Sequence, residues 1–229
     1  MKILVFGRDN KNIEKLATDS GHTIVSKDPE VVFSHGGDGT LILSEFYYPG
    51  VPKLPFRSSA VCKLCSPLTN EEVSEQFNAG QYSEVSLPKL DVSAHGVTLH
   101  AVNDVIVHNF DPRHAMRYRV SVNHKQRINH GIIGDGVVVA TPLGSSGYYR
   151  SITGSIFSSG IGLAFNNSTE QFDHIVLNKE DIITILITRG PARVYADNQE
   201  EFLDLAEGDS VEIKNSSQVA RLIKVNPTE

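Results

Sequence analysis

"VVFSHGGDGTLIL", residues 31–43, decides how this chain is read. An apolar run, Val31 to Phe33, enters a turn in which Gly36, Gly37 and Gly39 surround one acid, Asp38, and a second apolar run, Leu41 to Leu43, leaves it. Glycine loses more backbone entropy on ordering than any other residue, so such a cluster needs a reason, and close approach of the main chain to a ligand is one. A strand, a glycine turn and a helix in that order aim backbone N–H groups and the positive helix end at one point, which suits phosphate oxygens. The turn lacks the G-K-[ST] of a Walker A loop and is not G-x-G-x-x-G. An acid beside phosphate makes sense if a metal ion lies between, or if the acid takes a proton from an attacking hydroxyl. Phosphoryl transfer asks mainly for positioning and charge neutralisation, which a glycine cradle and one acid go far to supply. The plainer reading is a tight Asp-Gly turn after a strand.

Around this turn, the first part of the chain alternates strand and helix. Lys2–Phe6 reads as a strand, "NKNIEKLATDSG" as a helix with Ile13, Leu16 and Ala17 at helical spacing, and Gly21 as its stop. His22–Ser26 and Glu30–Ser34 read as further strands, the latter wholly apolar at its centre, as buried parallel strands are. Thr40–Tyr48 reads as a helix, and "SPLTNEEVSEQFNAG" as another, capped at Thr69 or Asn70 and stopped at Gly80. From about residue 82 the texture changes to short polar–apolar alternations such as "YRVSVNHKQRINH", "DIITILITRGPARVYADNQ" and "DSVEIKNSS", separated by Gly, Asn and Pro. The pattern predicts an α/β N-terminal domain with a Rossmann-like parallel sheet over residues 1–85 and a β-rich C-terminal domain over 86–229. The tail, "RLIKVNPTE", is expected to pack back on the first domain.

The chain has 229 residues and a net charge of -6, which argues against a non-specific nucleic-acid binder but not against an anionic small ligand held by local charge. No segment is long and apolar enough for a membrane span, and the N-terminus reads as a strand rather than a signal peptide. Cys62 and Cys65, in "VCKLC", are open to three readings: half of a zinc site, a redox pair, or two small apolar residues. The last is preferred, because neither a second ligand pair nor a thioredoxin-like context is evident, and a reducing cytoplasm follows as the expected compartment. The nine histidines show no close metal-binding spacing and read as surface or satisfied core residues, so no protein-held metal site is expected.

Two further constellations carry polar chemistry. "GIIGDGVVVATPLGSSGYYRS", residues 131–151, places Asp135 between glycines ahead of an apolar strand. A small, hydroxyl-rich run then leads to Tyr148 and Tyr149. Small residues let a flat ring lie near the backbone, and either tyrosine offers a stacking face; alternatively Tyr148 is a core aromatic and the serines are turn residues. In "VNDVIVHN", residues 102–109, Asn103 and Asp104 interrupt alternating apolar residues. Polar groups there cost free energy unless paired, and could either read a nucleoside or form a turn or bulge.

Taken in order, "GGDGT" at 36–40, "ND" at 103–104 followed by "VIVH", "GDGVVVATPLGSSGY" at 134–148 and "ADNQ" at 196–199 resemble the NAD kinase family over most of the chain. The resemblance implies two domains with the site in the cleft between them, and transfer of a phosphoryl group from ATP, with Mg2+, to the 2′-hydroxyl of the adenosine ribose of NAD. Asp38 is then the base, also touching NAD with Gly39. Gly36, Gly37, Gly39, Thr40 and Arg57 cradle the donor phosphates. Asn103, Asp104, His114, Asp135, Ser146, Gly147, Tyr148, Ser151 and Gln199 bind NAD, Asp135 reaching NAD held mainly by a neighbouring subunit of a homodimer or homotetramer. NAD and ATP are the expected partners, with neither nucleic acid nor membrane. The N-x-G-x-L-G-F-L segment usual in the family is replaced here by "KLPFRSSAVCKLCSPL". Two alternatives share features of this reading: a lipid or sugar kinase with the same G-G-D-G turn, and a non-catalytic dinucleotide sensor.

Overall fold

A computed structural model describes residues 1–126, 130–170 and 173–225. Its elements run β1 Lys2–Gly7, α1 Lys11–Asp19, β2 Thr23–Ile24, β3 Val31–Gly36, α2 Asp38–Tyr47, β4 Lys53–Arg57, α3 Asn70–Asn78, β5 Tyr82–Ala94, β6 Val97–Ala101, β7 Asp104–Asn109, β8 Met116–Val122 and β9 Lys125–Gln126. They continue with β10 Ile132–Gly134, β11 Gly136–Ala140, α4 Tyr148–Thr153, β12 Ile161–Asn166, β13 His174–Leu177, β14 Ile183–Arg189, β15 Ala192–Ala196, β16 Phe202–Leu205 and β17 Ser210–Val225. The chain divides into two compact units, one of Met1–Leu87 together with the chain from Val219 onward, the other Pro88–Gln218.

In the first unit β2, β1, β3 and β4 form a parallel sheet in that spatial order, and Leu222 of β17 adds in parallel beside Lys53 of β4. Val31 and Phe33 of β3, Ile3 of β1 and Leu54 and Phe56 of β4 join Ile13 and Ala17 of α1 and Val73 and Phe77 of α3 in one core. Phe33 anchors it, with ring centroids 4.8 Å from Phe56 and 5.4 Å, edge-on, from Phe77. Ile13 and Ala17 are one helical turn apart, so α1 buries a single stripe. In α3, Thr69 and Glu72 form a reciprocal capping box: the Thr69 hydroxyl accepts from the Glu72 amide at 3.2 Å and the Glu72 carboxylate from the Thr69 amide at 2.8 Å. The expected second strand shrinks to Thr23–Ile24, and α2 starts two residues before Thr40, at Asp38, with Gly37 extended as its N-cap. Residues 226–229 of the tail and 127–129 of "YRVSVNHKQRINH" lie outside the described residues.

The second unit has two antiparallel arrays. One runs β13-β12-β11-β7-β15-β16; the other includes β10-β8-β14 and the start of β17, with β9 on β8 and β6 on β5. Their inner faces meet in one core that includes Val105, Val107, Val137, Val139 and Leu163 from the first array and Val120, Ile185 and Val211 from the second. All five residues of β11 are buried. Val137 and Val139 face that core, while Val138 and Ala140 sit with Tyr149 of α4 in a smaller cluster on the other side. A strand covered on both faces reads as continuous apolar sequence, which is why "GVVVA" shows no alternation.

The first unit also buries an ion pair. Glu45 of α2 and Lys53 of β4 are 2% and 1% exposed, and the lysine ammonium donates to the Glu45 carboxylate and to the Tyr48 carbonyl. The other Glu45 oxygen accepts from the Gly50 amide at 3.0 Å, so the pair ties the end of α2, the turn after it and the start of β4 together. Removing one partner leaves the other charge buried without its counter-ion. Lys53→Met therefore lowers the unfolding free energy by about 3–5 kcal/mol, read from urea denaturation of the variant against the parent protein.

Candidate active site

In the first unit, β3 delivers the chain into the glycine turn and α2 carries it away. A Cβ on Gly36 would lie 2.1 Å from the Thr40 hydroxyl, so only glycine lets the first turn of α2 fold back this tightly. Asp38 occupies the first helical position, where the helix end favours negative charge. Its carboxylate is half-buried and held from across the chain: Oδ2 accepts from the Lys63 amide at 3.0 Å and Oδ1 from the Leu64 amide at 2.9 Å.

Those two amides belong to a loop closed by a Cys62–Cys65 disulfide. This corrects the reading of the two cysteines as independent small apolar residues. The two residues between them send consecutive amides to Asp38. Arg57, expected at the donor phosphates, spends one guanidinium nitrogen on the same loop, donating to the Cys62 carbonyl at 3.1 Å and to the Ser66 carbonyl at 3.5 Å. The Arg57 backbone is itself fixed by the Asn70 side chain, whose amide and carbonyl ends meet its C=O at 3.0 Å and its N–H at 2.9 Å.

In the second unit, Asn103 and Asp104 form a corner between β6 and β7. Asp197, in the left-handed region at φ 50°, places its carboxylate against three successive amides, Val102 at 2.6 Å, Asn103 at 2.8 Å and Asp104 at 3.0 Å. Thr141 holds the carbonyl side, its amide donating to Asn103 at 2.9 Å and its hydroxyl to Val102 at 2.7 Å. A Cβ on Gly144 would come within 2.0 Å of the Asn103 carbonyl, so this loop presses directly on the corner. Asp104 is buried and faces the same loop: a Cβ on Gly147 would lie 3.9 Å from its Oδ2.

Burial, then the neighbouring Asp197 charge, pushes the Asp104 carboxyl up to about 7. Burial also raises Asp197, opposed by its three amide donors and by Lys89.

Tyr148 and Tyr149 divide the two roles open to the aromatic pair. Tyr149 is fully buried, packed edge-on against Phe157 and His174 at 5.1 and 5.7 Å. Tyr148 is half-exposed, its hydroxyl accepting from the Asn166 amide group at 3.0 Å. Ser146 and Ser151 turn their hydroxyls onto the carbonyls of Leu143 and Tyr148 at 3.2 and 2.7 Å. Asp135 bridges Asn109 and Asn167, accepting from their side-chain amides at 3.2 and 3.0 Å. Asn109 also donates to the carbonyl of His114 at 2.9 Å, while the His114 ring is exposed, 3.4 Å from Asp111. Gln199 donates its amide to the His100 carbonyl at 2.5 Å.

The second unit thus assembles Asn103, Asp104 and the Gly144–Tyr148 loop as one group, and Asp135, Asn109 and the backbone of His114 as another. Asp197, which locks the corner, is the residue that sequence reasoning missed. Its signal was present in "ADNQ", where an Asp-Asn pair marks a left-handed turn. Among the described residues no group of three or more His, Cys, Asp or Glu could hold a metal ion. No helix among them is long and apolar enough to cross a membrane.

Comparison with known proteins places these observations. Residues 102–225, more than half of the chain, match the family described as the ATP-NAD kinase C-terminal domain. An NAD kinase of Sulfurisphaera tokodaii is 29% identical over 180 residues, covering 73% of this chain and 70% of that protein. An NAD kinase of Chloroflexus aurantiacus is 24% identical over 96% of this chain and 83% of its own length. Two solved structures share the fold: yeast NADH kinase complexed with NADH, at 16% identity and a TM-score of 0.85 over 99% of this chain and 84% of that one, and an NAD kinase from Archaeoglobus fulgidus in complex with ATP, at 20% identity and 0.80 over 99% and 94%.

The raised carboxyl of Asp104 has a signed consequence. In the unfolded chain an Asp titrates near about 3.9, and folded Asp104 near 7, so between these values the native state binds more protons. The stability that Asp104 contributes is complete below about pH 4, is lost as pH rises toward 7, and is gone above it. Asn stays neutral throughout. Asp104→Asn therefore gains on the parent protein by about 1.4 kcal/mol per pH unit through this window and by nothing further above it. Urea unfolding of both proteins from pH 5 to 8 measures the difference.

Proposed function

The chain belongs to the ATP-NAD kinase family, and from that premise we propose that it transfers the terminal phosphoryl group of MgATP to the 2′-hydroxyl of the adenosine ribose of NAD, giving NADP. The observation that carries this reading is the Asp38 carboxylate, fixed by two loop amides at the first turn of α2 beside Gly36 and Gly37. As the ribose oxygen bonds to phosphorus, its O–H bond breaks and the proton passes to Asp38. The bond from phosphorus to the bridging oxygen breaks, and ADP leaves. Asp38 keeps lone pairs for the incoming proton because each carboxylate oxygen has more than one acceptor site.

Gly36, Gly37, Gly39, Thr40 and Arg57 cradle the donor phosphates in this reading, the positive end of α2 offsetting their charge. The metal ion arrives as part of the MgATP substrate, bound by triphosphate oxygens. Asn103 and Asp104 hold the NAD nucleoside, and Ser146, Gly147, Tyr148 and Ser151 line its adenylate, Tyr148 stacking on a base. Gln199 steadies the corner through His100. Asp135, with His114 nearby, serves NAD bound by a neighbouring subunit of a homodimer or homotetramer. The first unit is then the donor domain, the second the NAD domain, and the enzyme works in the cytoplasm.

Purified protein with MgATP and NAD yields NADP in an enzymatic cycling assay. Binding of NAD, seen by thermal shift, without any NADP would favour the sensor reading instead. Asp38→Asn lowers kcat by about a thousandfold or more with modest change in the affinity for NAD, because the lost interaction is made mostly in the transition state. Tyr148→Ala raises KM for NAD by about tenfold, the loss of about 1.4 kcal/mol of stacking, with kcat changed less.

A further inference from the structure

The loop that holds Asp38 is the part of the first unit with redox chemistry. Cys62 and Cys65 close it covalently, and the two residues between them, Lys63 and Leu64, both donate their amides to the Asp38 carboxylate. Arg57 clasps the loop from the other side through the carbonyls of Cys62 and Ser66. Three restraints therefore converge on a stretch of a few residues, and two consecutive main-chain amides of that stretch meet Asp38. The two sulfurs differ in setting. Cys62 is buried at 8% exposure, its Sγ 3.3 Å from Asp38 Oδ1, whereas Cys65 is half-exposed and lines a surface hollow with Leu54, Pro55, Ser66 and Lys224.

We propose that the Cys62–Cys65 disulfide is a redox-controlled positioning element for Asp38, holding the carboxylate in its working orientation when oxidised and releasing it when a dithiol reduces the bond. This rests on the proposed role of Asp38 in the kinase reaction. The exposed sulfur is the point of attack. A dithiol, entering as thiolate, bonds to Cys65 Sγ, the Sγ–Sγ bond breaks, and the pair of electrons leaves with Cys62 sulfur. A thiolate 3.3 Å from a carboxylate oxygen is disfavoured, so Cys62 takes up a proton as it leaves. The second thiol of the reagent then displaces Cys65 as thiol and carries away the reagent's own disulfide. The protein gains two electrons and two protons.

The reduced state changes Asp38 in two ways. The loop regains the conformational freedom that the cross-link removed, so its two amides are no longer held on the carboxylate. The new Cys62 S–H lies beside Oδ1 as a competing donor at the atom that would receive the ribose proton. Both effects act on Asp38 and leave the proposed NAD-binding unit untouched, so they reduce kcat and spare KM for NAD.

The test uses the full chain equilibrated in mixtures of oxidised and reduced dithiothreitol, with thiol alkylation and mass spectrometry reporting the bond. Reduction is expected to lower kcat by about tenfold while KM for NAD changes by less than about twofold, and reoxidation restores kcat. Hydrogen exchange of the peptide spanning residues 59–67 speeds up by about tenfold on the same redox midpoint. Cys62→Ser with Cys65→Ser matches the reduced enzyme and no longer responds to dithiothreitol; if that variant fails to fold, the titration of the natural protein decides alone. Asp38→Ala with the disulfide intact also speeds exchange at Lys63 and Leu64, since the amides lose their acceptor. Equal kcat in the two redox states overturns the proposal, as does unchanged exchange of 59–67 on reduction, or a fall in kcat matched by a rise in KM for NAD. If neither redox state makes NADP, the kinase reading fails, while the exchange measurement still decides whether the disulfide positions Asp38.

Discussion

In each of the two units a group of candidate residues depends on a carboxylate satisfied by backbone amides from a distant part of the chain. Asp38 is held by Lys63 and Leu64, and Asp197 by Val102, Asn103 and Asp104. A side chain can swing between rotamers, whereas a run of amides is fixed by the fold. An acid anchored in this way therefore transmits the rigidity of two segments to one point. The same arrangement orients two different things. In the first unit the anchored acid is itself the reactive group of the proposed reaction, while in the second the anchored acid is silent and the corner it braces presents Asn103 and Asp104.

These anchors also bear on two neighbouring buried acids of the second unit. Asp197 has three amides and Lys89 to oppose the effect of its burial, whereas Asp104 lies buried with the Asp197 charge beside it, and its carboxyl is raised to about 7. The protein accepts an acid at the edge of neutrality in the corner that Asp197 braces, which is a cost in stability that a neutral residue would avoid. Such costs concentrate where a site needs a particular group more than the fold does.

The parts of this architecture that could be read from sequence are those written in local signals. The glycine turn, the helix after it, the helix start at Thr69 or Asn70 and the shift to strand texture after residue 82 all rest on neighbours within a few positions. The contribution of Asp197 is not local, since its partners lie 93 to 95 residues earlier. Nor does spacing alone decide the state of Cys62 and Cys65, because C-x-x-C is compatible with metal, disulfide or packing, and only the path of the loop around Asp38 selects one. The adjacent tyrosines were ambiguous for a third reason. Successive residues of a helix point about 100° apart, so the two rings face different surroundings, and the burial of Tyr149 depends on Phe157 and His174 further along the chain.

The passage of β17 from one unit to the other bears on biosynthesis. Ile223 and Val225 fill the same core as Ile3, Phe33 and Phe56, although some 130 residues of the second unit are translated in between. As the chain emerges from the ribosome, the first unit has its helices and its parallel strands long before it has these two side chains or the strand that pairs beside Lys53. The nascent N-terminal unit must wait, part-finished and with an apolar gap, while the later-made unit has already received nearly everything it needs. A chaperone that shields exposed apolar surface would find its client here in the portion synthesised first.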